Sequence, residues 1–599
     1  MTNYFAEVEE AAAAGGTLFG VPDYLPLDEQ RAIRQNDPLV RAALTPPARS
    51  TRPRRVRTVW GKRSKLGRKR LLRSLAAAVI KNPPAPKPKD PVTTIRKLVK
   101  AEDFDAAQVL INAVQEGREN DVAFLKIARR VATTRGAMTL ALHLAKLLEK
   151  HGEFSPDTIV KMEANLKELT GWHPSLAGAA EPIESDDADV VLHVAKMSRP
   201  FLSNGYTSRS HRNFLAAKDA GITTVVVTEL GFPRKIGVDE FVPVESLDGI
   251  EHRRLDLGSG VDVTDMPMDE WLEAFAQSAY DVVREVRPSL LHVSSGHRGY
   301  ETMLVAMALK EKTGLPLVYE FRSFHDATWT GRQELHDRGE TYLRRRAAES
   351  LVMDAADVVL TLNEAMRDEL VRMGCSPDKI FLVPNGVDLD HFEPRPRPAE
   401  LAARFGLDDL PTFGYVSNMD HRREAQETLV RASAELKSRG LEFRCVIVGQ
   451  GPRQEMIEAL AHELDVADCV VFTGAADHLH VADYYGLIDV FVIPRTVERA
   501  ASLVTPLKPF EAMAMGKPIV ISDLPALREI AAPEERGLVF PPDDAVGLAD
   551  AVQRLFEDPG LAERLGAAGR NWVVNNRQWY MNGPRYVEAF AAARTAARR

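Results

Sequence analysis

Cysteine is scarce, long apolar runs are missing, and one long stretch contains no acid at all. Three cysteines, Cys375, Cys445 and Cys469, occur in 599 residues. Their number is odd and no pair stands at metal-ligand spacing, which argues against a disulfide framework and a cysteine-based zinc site and for buried thiols in a reducing compartment. No apolar run approaches the ~20 residues that a spanning helix needs. The first twenty residues are acidic and then alanine-rich, unlike the basic-then-apolar order of a secretory signal. The expectation is a cytoplasmic protein, at most peripheral on the inner face of the membrane. Between Pro38 and Lys89 there is no Asp or Glu, while sixteen Lys and Arg fall there, although the whole chain has a formal net charge of -8. A block of one sign points to an anionic partner. Its single aromatic, Trp60, gives no interleaved stacking platform, so no nucleic acid is expected.

The remaining composition, 45% hydrophobic and 27% charged, is enough for several domains with cores of their own. Residues 1–90 read as a disordered basic arm, with proline at both ends of the block. Within it, Lys69 to Ile80 (KRLLRSLAAAVI) could form a short amphipathic helix. Residues 91–180 read as helical: Leu98, Phe104, Ala107, Leu110, Ile111 and Val114 recur near helical spacing, as do Phe124, Ile127, Ala128 and Val131. Gly152 and Gly171 break the pattern. This stretch is expected to be a helical adaptor region.

From Asp187 short apolar runs alternate with helical stretches. The first series is Val190–Val194, Thr223–Val227, Leu290–Val293, Leu317–Glu320, Val358–Leu362 and Ile380–Val383. The second is Phe413–Val416, Arg444–Val448, Val470–Phe472, Val490–Ile493 and Pro518–Ile521. Runs that are apolar on both sides and separated by helices belong to parallel sheets covered on both faces. The predicted fold class is therefore α/β, with two Rossmann-like, doubly wound domains. The expected bounds are 187–387 and 388–575, followed by a closing helical segment over 576–599.

In such sheets ligands bind at the carboxyl ends of the strands. After the first strand, Ser203-Asn204-Gly205-Tyr206-Thr207-Ser208-Arg209 leads into a helix through His211, which offers backbone N–H groups to a phosphate. An ordinary strand-to-helix turn would look the same. Gly449-Gln450-Gly451 opens another helix, but it is not the full dinucleotide fingerprint, which disfavours a dehydrogenase. Later, Thr505-Pro506-Leu507-Lys508-Pro509-Phe510-Glu511 enters a helix whose first turn offers a cation for phosphate oxygens and a carboxylate for a ribose diol. Glu511 there also suits the helix dipole. Tyr319-Glu320-Phe321-Arg322 ends a strand, and alternation puts Glu320 and Arg322 on one face. His292 and His297 flank Ser294-Ser295-Gly296 after another strand.

Taken together, Ala356–Thr361, Pro384-Asn385-Gly386-Val387-Asp388, Val446–Pro452, Phe472-Thr473-Gly474, Asp489–Arg495 and Glu511–Pro518 resemble the retaining glycosyltransferases of family 4, across Asp187–Ala597. The resemblance implies a GT-B fold, two domains facing a cleft, with the last helix crossing back to the first domain. It implies a hexose donor in the form of a nucleotide diphosphate sugar, a glycan or lipid-linked acceptor, and no cofactor or metal. It implies that Gly205, Asn204, Arg423, Arg495, Thr505, Leu507, Lys508 and Glu511 serve the donor, that Tyr206, Arg209, His211 and His292 face the acceptor, and that Arg322 and Glu320 serve the chemistry. Two positions depart from the family pattern: Leu503 stands where many relatives have a second Glu, and Asn418 stands where many have an Arg. Arg423, Arg495 and Lys508 are the expected substitutes. Asp388 and Asp390 read as part of a turn, since one acidic pair does not fill a hard-cation site. Rival readings are a nucleotide-sugar epimerase and a non-catalytic scaffold in envelope assembly.

The basic block generates a test. Each Lys or Arg near an anionic leaflet contributes about 1 kcal/mol, fading within a Debye length. The full chain should co-sediment with anionic vesicles at low salt and release at high salt, and a chain starting at Asp90 should stay in the supernatant. Equal sedimentation with neutral vesicles would remove this role.

Overall fold

The computed structural model describes residues 90–598 apart from 186, 188, 259, 326–338, 408 and 478. The basic arm, with its Lys69–Ile80 segment, lies outside the described residues. The chain divides into two compact units, one of helices and a larger one that holds both sheets.

The helical unit contains Pro91–Lys100, Phe104–Val114, Val122–Thr134, Met138–Lys150 and most of Pro156–Lys167. Three of these helices begin on an aspartate. Asp90, Asp103 and Asp121 accept hydrogen bonds from the amides of Val92, Ala106 and Phe124, satisfying donors that a helix start leaves open. Ile95, Phe104, Ala107, Phe124, Val131 and Leu148 form its core. The first turn of the helix Glu340–Ala355 also belongs here. Glu340 accepts from the Thr139 amide at 2.9 Å, and the Thr341 amide donates to Gly136 O at 3.0 Å. The unit ends at Leu166, short of the expected 180. From Lys167 on the chain is anchored in the larger unit: Lys167 pairs with Asp269 at 2.7 Å, and Glu168 pairs with Arg298.

In the larger unit all eleven expected strands occur, each end within one residue of its expected position. The first sheet holds β1 (Val190–Ala195), β2 (Thr223–Thr228), β3 (Val244–Leu247), β4 (Ile250–Arg253), β5 (Leu290–Ser294), β6 (Leu317–Glu320), β7 (Val358–Thr361) and β8 (Ile380–Leu382), in the order β3-β4-β2-β1-β5-β6-β7-β8. The second holds β9 (Thr412–Val416), β10 (Arg444–Val448), β11 (Val470–Phe472), β12 (Val490–Ile493), β13 (Ile519–Ser522) and β14 (Gly537–Phe540), in the order β11-β10-β9-β12-β13-β14. Every pairing is parallel except β3 with β4. Strand order reverses between β1 and β5 in the first sheet and between β9 and β12 in the second. These reversals open the crevices in which a doubly wound sheet receives its ligand.

Three strands were not read from the sequence. β3 and β4 are the edge of the first sheet and mix apolar with polar and charged residues, Val-Glu-Ser-Leu and Ile-Glu-His-Arg. Leu247 pairs with Ile250 across a two-residue Asp248-Gly249 turn, both residues at positive φ (53° and 76°), the tightest antiparallel connection. β14 is the short edge of the second sheet.

The chain ends by returning to the first sheet. Tyr586, Ala589, Phe590 and Ala593 of the helix Asn582–Ala596 bury against Val191, Leu290, Val318 and Val358. Asn582 Nδ2 donates to Asn213 Oδ1 and to Pro384 O, both at 2.9 Å. The helix sits so close to Gly205–Asp219 that a Cβ on Gly583 would lie 2.4 Å from Ala216 O. Gly583→Ala should therefore force the two helices apart and cost about 1–3 kcal/mol, the range for overpacking. Gly560→Ala, where the nearest atom would be the Asp558 carboxylate at 3.4 Å, should be close to neutral. Chemical unfolding of both variants checks this, and equal midpoints would contradict the close approach.

Candidate active site

The loop after β1 enters its helix through a full capping box. Asn204 Oδ1 accepts from the amides of Tyr206 and Thr207, both at 3.0 Å, and the Asn204 amide donates to Thr207 Oγ1 at 3.0 Å. The expected donor residue Asn204 thus has its carbonyl occupied by its own helix. Gly205 behind it stands at the edge of the second domain: a Cβ there would be 3.7 Å from Leu507 Cδ1. The two residues expected to close on the donor, far apart in sequence, meet across the cleft.

Beneath this loop lies a buried carboxylate. Glu320, at the end of β6, is 0% exposed. Its Oε1 accepts from Arg209 Nη2 at 2.6 Å and Nε at 3.2 Å, and its Oε2 from Arg322 Nη2 at 2.8 Å. His292 Nε2 stands 3.3 Å from Oε2. Burial pushes the Glu320 carboxyl up, but Arg322 and Arg209 outweigh it and hold the group well below the usual carboxylate range. Arg322 continues to Ser210 Oγ at 2.6 Å and lies 4.7 Å over the Tyr206 ring. Lys196, at the end of β1, stands 4.7 Å from the same ring and donates to Gly296 O at 3.1 Å. The sequence reading passed over Lys196; its signal was a lysine directly after a buried strand at the point where strand order reverses.

Three expectations change here. Glu320 has no surface with which to touch a substrate and is spent inside the domain on Arg322 and Arg209. Arg209, expected to face the acceptor, is spent inward: besides Glu320 it donates to Asn385 Oδ1 at 2.8 Å and Val383 O at 2.7 Å. The two histidines are likewise not on the acceptor face. His292 is buried between Tyr586, Phe590 and His193, with the two histidine Nδ1 atoms 2.9 Å apart, and burial pushes both rings below their ordinary pKa. His211 Nε2 is 2.7 Å from Asp248 in the β3–β4 turn, which lies at the amino end of β4, opposite the carboxyl ends where a ligand binds.

The second domain repeats the device. Glu424, after β9, is 4% exposed. It accepts from Arg495 Nη2 at 2.9 Å and Nε at 3.3 Å and from the Tyr415 hydroxyl at 2.5 Å, and Arg423 Nε stands 3.6 Å away. Burial pushes its carboxyl up, but Arg495 and then Lys508 outweigh it and hold it well below the ordinary range. The three cations expected to replace the missing Arg therefore gather around one carboxylate and leave two positive charges in excess. Arg495 is filled by Glu424 and Val504 O; Arg423 and Lys508 are the more exposed. Asn418, on the same loop, donates to Asp420 at 2.7 Å. Gly449 and Gly451 let this loop pass, since Cβ atoms there would lie 2.0 Å from Ser417 O and 2.5 Å from the Met419 carbonyl carbon. Sequence reasoning missed Glu424, whose only signal was an acid following two arginines after a strand.

The loop 503–507, expected to meet the donor, is held by the first domain. Asn363 Nδ2 donates to Leu503 O at 2.8 Å and to the Thr505 hydroxyl, and Asn385 Nδ2 donates to Thr505 O at 2.8 Å. Leu503, the family's Glu position, thus contributes its backbone. Glu511 accepts from the hydroxyl of Tyr485, which stacks on Phe491 at 5.0 Å, and it remains half-buried in the first turn of its helix. Asp388 pairs with Arg212 and accepts from the Asp390 amide at 3.2 Å, as a turn residue does. Among the described residues, no three His, Cys, Asp or Glu side chains form a group that could hold a metal.

Two family models match the chain: the glycosyl transferase 4-like domain over residues 204–386 and glycosyl transferases group 1 over residues 410–558. The chain belongs to the family 4-like glycosyltransferases. It is 29% identical over 348 residues to the GDP-mannose-dependent alpha-(1-6)-phosphatidylinositol monomannoside mannosyltransferase of Mycolicibacterium smegmatis, covering 55% of this chain and 88% of that one. It is 30% identical over 260 residues to the alpha-D-kanosaminyltransferase of Streptomyces kanamyceticus, covering 42% of this chain and 64% of that one. Its fold matches the sucrose-phosphate synthase of Thermosynechococcus elongatus with a TM-score of 0.55 and 25% identity, over 67% of this chain and 99% of that one. The glycosyltransferase is thus of the GT-B type, with two parallel-sheet domains. Its five N-terminal helices lie outside the matched residues.

The two acids of the donor side should separate cleanly. Glu511→Ala should weaken binding of a sugar nucleotide by about 1–3 kcal/mol with little change in unfolding. Glu424→Gln leaves Arg495 buried without its charge partner and should cost about 3–5 kcal/mol of stability as well as donor affinity. The stabilisation from a depressed Glu424 is complete above the ~4.3 of a free glutamate and is lost as pH falls from there through the folded value. The stability difference between wild type and Glu424→Gln should therefore be full at neutral pH and shrink as pH falls below about 4.3, wild type losing stability more steeply with acid than the variant. Calorimetry and acid titration of both variants check the assignment; wild-type affinity in Glu511→Ala would remove it.

Proposed function

We propose that this glycosyltransferase moves a hexose from a nucleotide diphosphate sugar to a lipid-linked or glycan acceptor, with retention at the anomeric carbon, in the synthesis of a cell-envelope glycolipid or polysaccharide. The observations that carry this reading are the approach of Gly205 to Leu507 and, in the second domain, the cations gathered by Glu424. A leaving diphosphate develops negative charge as the glycosidic bond breaks. Arg423 and Lys508, with the helix starts at Gly205 and Lys508, supply fixed positive charge where it appears, which lowers the barrier without reorganisation. Glu511 is the ribose ligand. Arg322, held by Glu320 and Ser210 and 6% exposed, adds its charge from beneath the first-domain loop. The leaving phosphate takes the acceptor's proton on the face from which it departs, which gives retention.

The relative from Mycolicibacterium smegmatis makes GDP-mannose the first donor to test and a phosphoinositide-type lipid the first acceptor. No helix among the described residues is long and apolar enough to cross a membrane, and attachment through the basic arm of residues 38–89 is the proposed route to such an acceptor. Because side-chain cations and backbone dipoles hold the diphosphate, transfer should proceed without a metal.

A panel of sugar nucleotides should contain one that raises the melting temperature, since a ligand that binds only the native state stabilises it. With that donor, NMR of the product should show the donor's anomeric configuration, and the rate should survive a chelator. An isomerised sugar nucleotide in place of a glycoside would favour an epimerase, stabilisation by none of the panel a scaffold. Loss of activity in chelator, restored by Mg²⁺, would overturn the metal-free mechanism.

A further inference from the structure

The helical unit carries a basic cavity. The helix Val122–Thr134 buries Phe124, Leu125, Ile127, Ala128, Val131 and Ala132 on its inner side. Lys126, Arg129, Arg130 and Thr133 follow one another at spacings of three, one and three, so they form a stripe on the other side. With Thr134, Leu148, Glu153 and Phe154 they line a cavity of about 380 Å³, the size of a small-molecule site. Three cations at such spacing repel one another on a helix, and a single carboxylate answers them: Glu153 pairs with Lys126 at 2.5 Å. Among the described residues neither arginine of the stripe has a carboxylate partner. Arg129 is fixed all the same, its guanidinium 4.7 Å over the Phe154 ring and its Nε buried without a hydrogen-bond partner. The buried residues of this helix lie on its opposite side, while Leu148 and Phe154, which line the cavity, belong to or pack against the core of the unit.

We propose that this cavity binds a phosphate ester, either a free phosphorylated compound or the headgroup of an anionic lipid. The planar fork of an arginine matches two phosphate oxygens at once. Arg129 is held in place by its ring contact, Arg130 is exposed beside it, and the Thr133 and Thr134 hydroxyls add donors. Phe154 and Leu148 give the floor an apolar surface for the rest of the ligand. The cavity's two positive charges in excess favour an anion over a neutral glycan.

Hydrogen exchange by mass spectrometry on the full chain tests this and distinguishes the two sources. The probes are inorganic phosphate, against chloride at matched ionic strength, and vesicles of phosphatidylcholine containing phosphatidylinositol, against pure phosphatidylcholine. Peptides spanning 122–134 and 148–154 should exchange several-fold more slowly with at least one probe. Slowing by inorganic phosphate assigns a free ester, and slowing by the vesicles alone assigns a headgroup. In Arg129→Gln the local slowing should vanish, while any slowing of the donor-site peptides around 420–425 and 505–511 remains. If Arg129→Gln loosens the whole helical unit, the exposed Arg130→Gln takes its place and should at least halve the effect. No local slowing with either probe, or slowing that both variants keep, would overturn the proposal.

Discussion

The two sheet domains depend on one buried contact chain. Glu320 binds Arg209, Arg209 binds Asn385, and Asn385 binds the backbone of Thr505 in the donor loop. Four residues from three segments of the first domain and one loop of the second are thereby fixed to each other by direct hydrogen bonds. A buried carboxylate with a guanidinium is a poor source of net stability, because desolvation offsets most of the attraction. Breaking it is costly, because one charge would be left alone in the interior. Such a link therefore specifies geometry: the loop 503–507 takes the one position in which Leu507 meets Gly205.

The same arrangement occurs twice. In each domain a glutamate after a central strand is buried, loses its exposure to substrate, and gathers cations: Glu320 with Arg209 and Arg322, Glu424 with Arg495, Arg423 and Lys508. An arginine free to swing would lose rotamer freedom on each binding event. One already tied to a buried carboxylate is aimed beforehand, which is what electrostatic catalysis requires. The departures from the family pattern at Leu503 and Asn418 fit this picture. The loop that lacks the second glutamate is held by its backbone through Asn363 and Asn385, and near Asn418 the buried Glu424 gathers Arg423, Arg495 and Lys508.

Much of the fold was legible because parallel strands are buried on both faces and must be apolar throughout. That rule found Leu317–Glu320 and Val490–Ile493 directly and the first strand, read as Val190–Val194, to within one residue. It passed over β3 and β4, whose edge position admits Glu245, Ser246, Glu251 and Arg253, although the Asp248-Gly249 turn between them was a readable hairpin signal. In the candidate site Gly205, Leu507, Lys508 and Glu511 were named from strand-to-loop position and family resemblance. His211 and His292 were misjudged for a common reason. A histidine near a strand end looks the same in sequence whether it faces a cleft or packs under it, and the rings that enclose His292 come from a helix some three hundred residues further on.

By itself the sequence determined the two doubly wound domains, the helical unit before them, the basic block, and the glycosyltransferase family. These follow from local pattern: apolar runs, helix starts, turns and charge density are properties of neighbouring residues. Only the tertiary structure decided which charged groups face the cleft and which are consumed inside, because that depends on partners distant in the chain. Arg209 and Arg495 are each one arginine among many until Glu320 and Glu424 are brought beside them. An ion pair between residues 209 and 320 leaves no trace in the local sequence of either, since burial and long-range pairing arise when the sheets assemble and water is expelled.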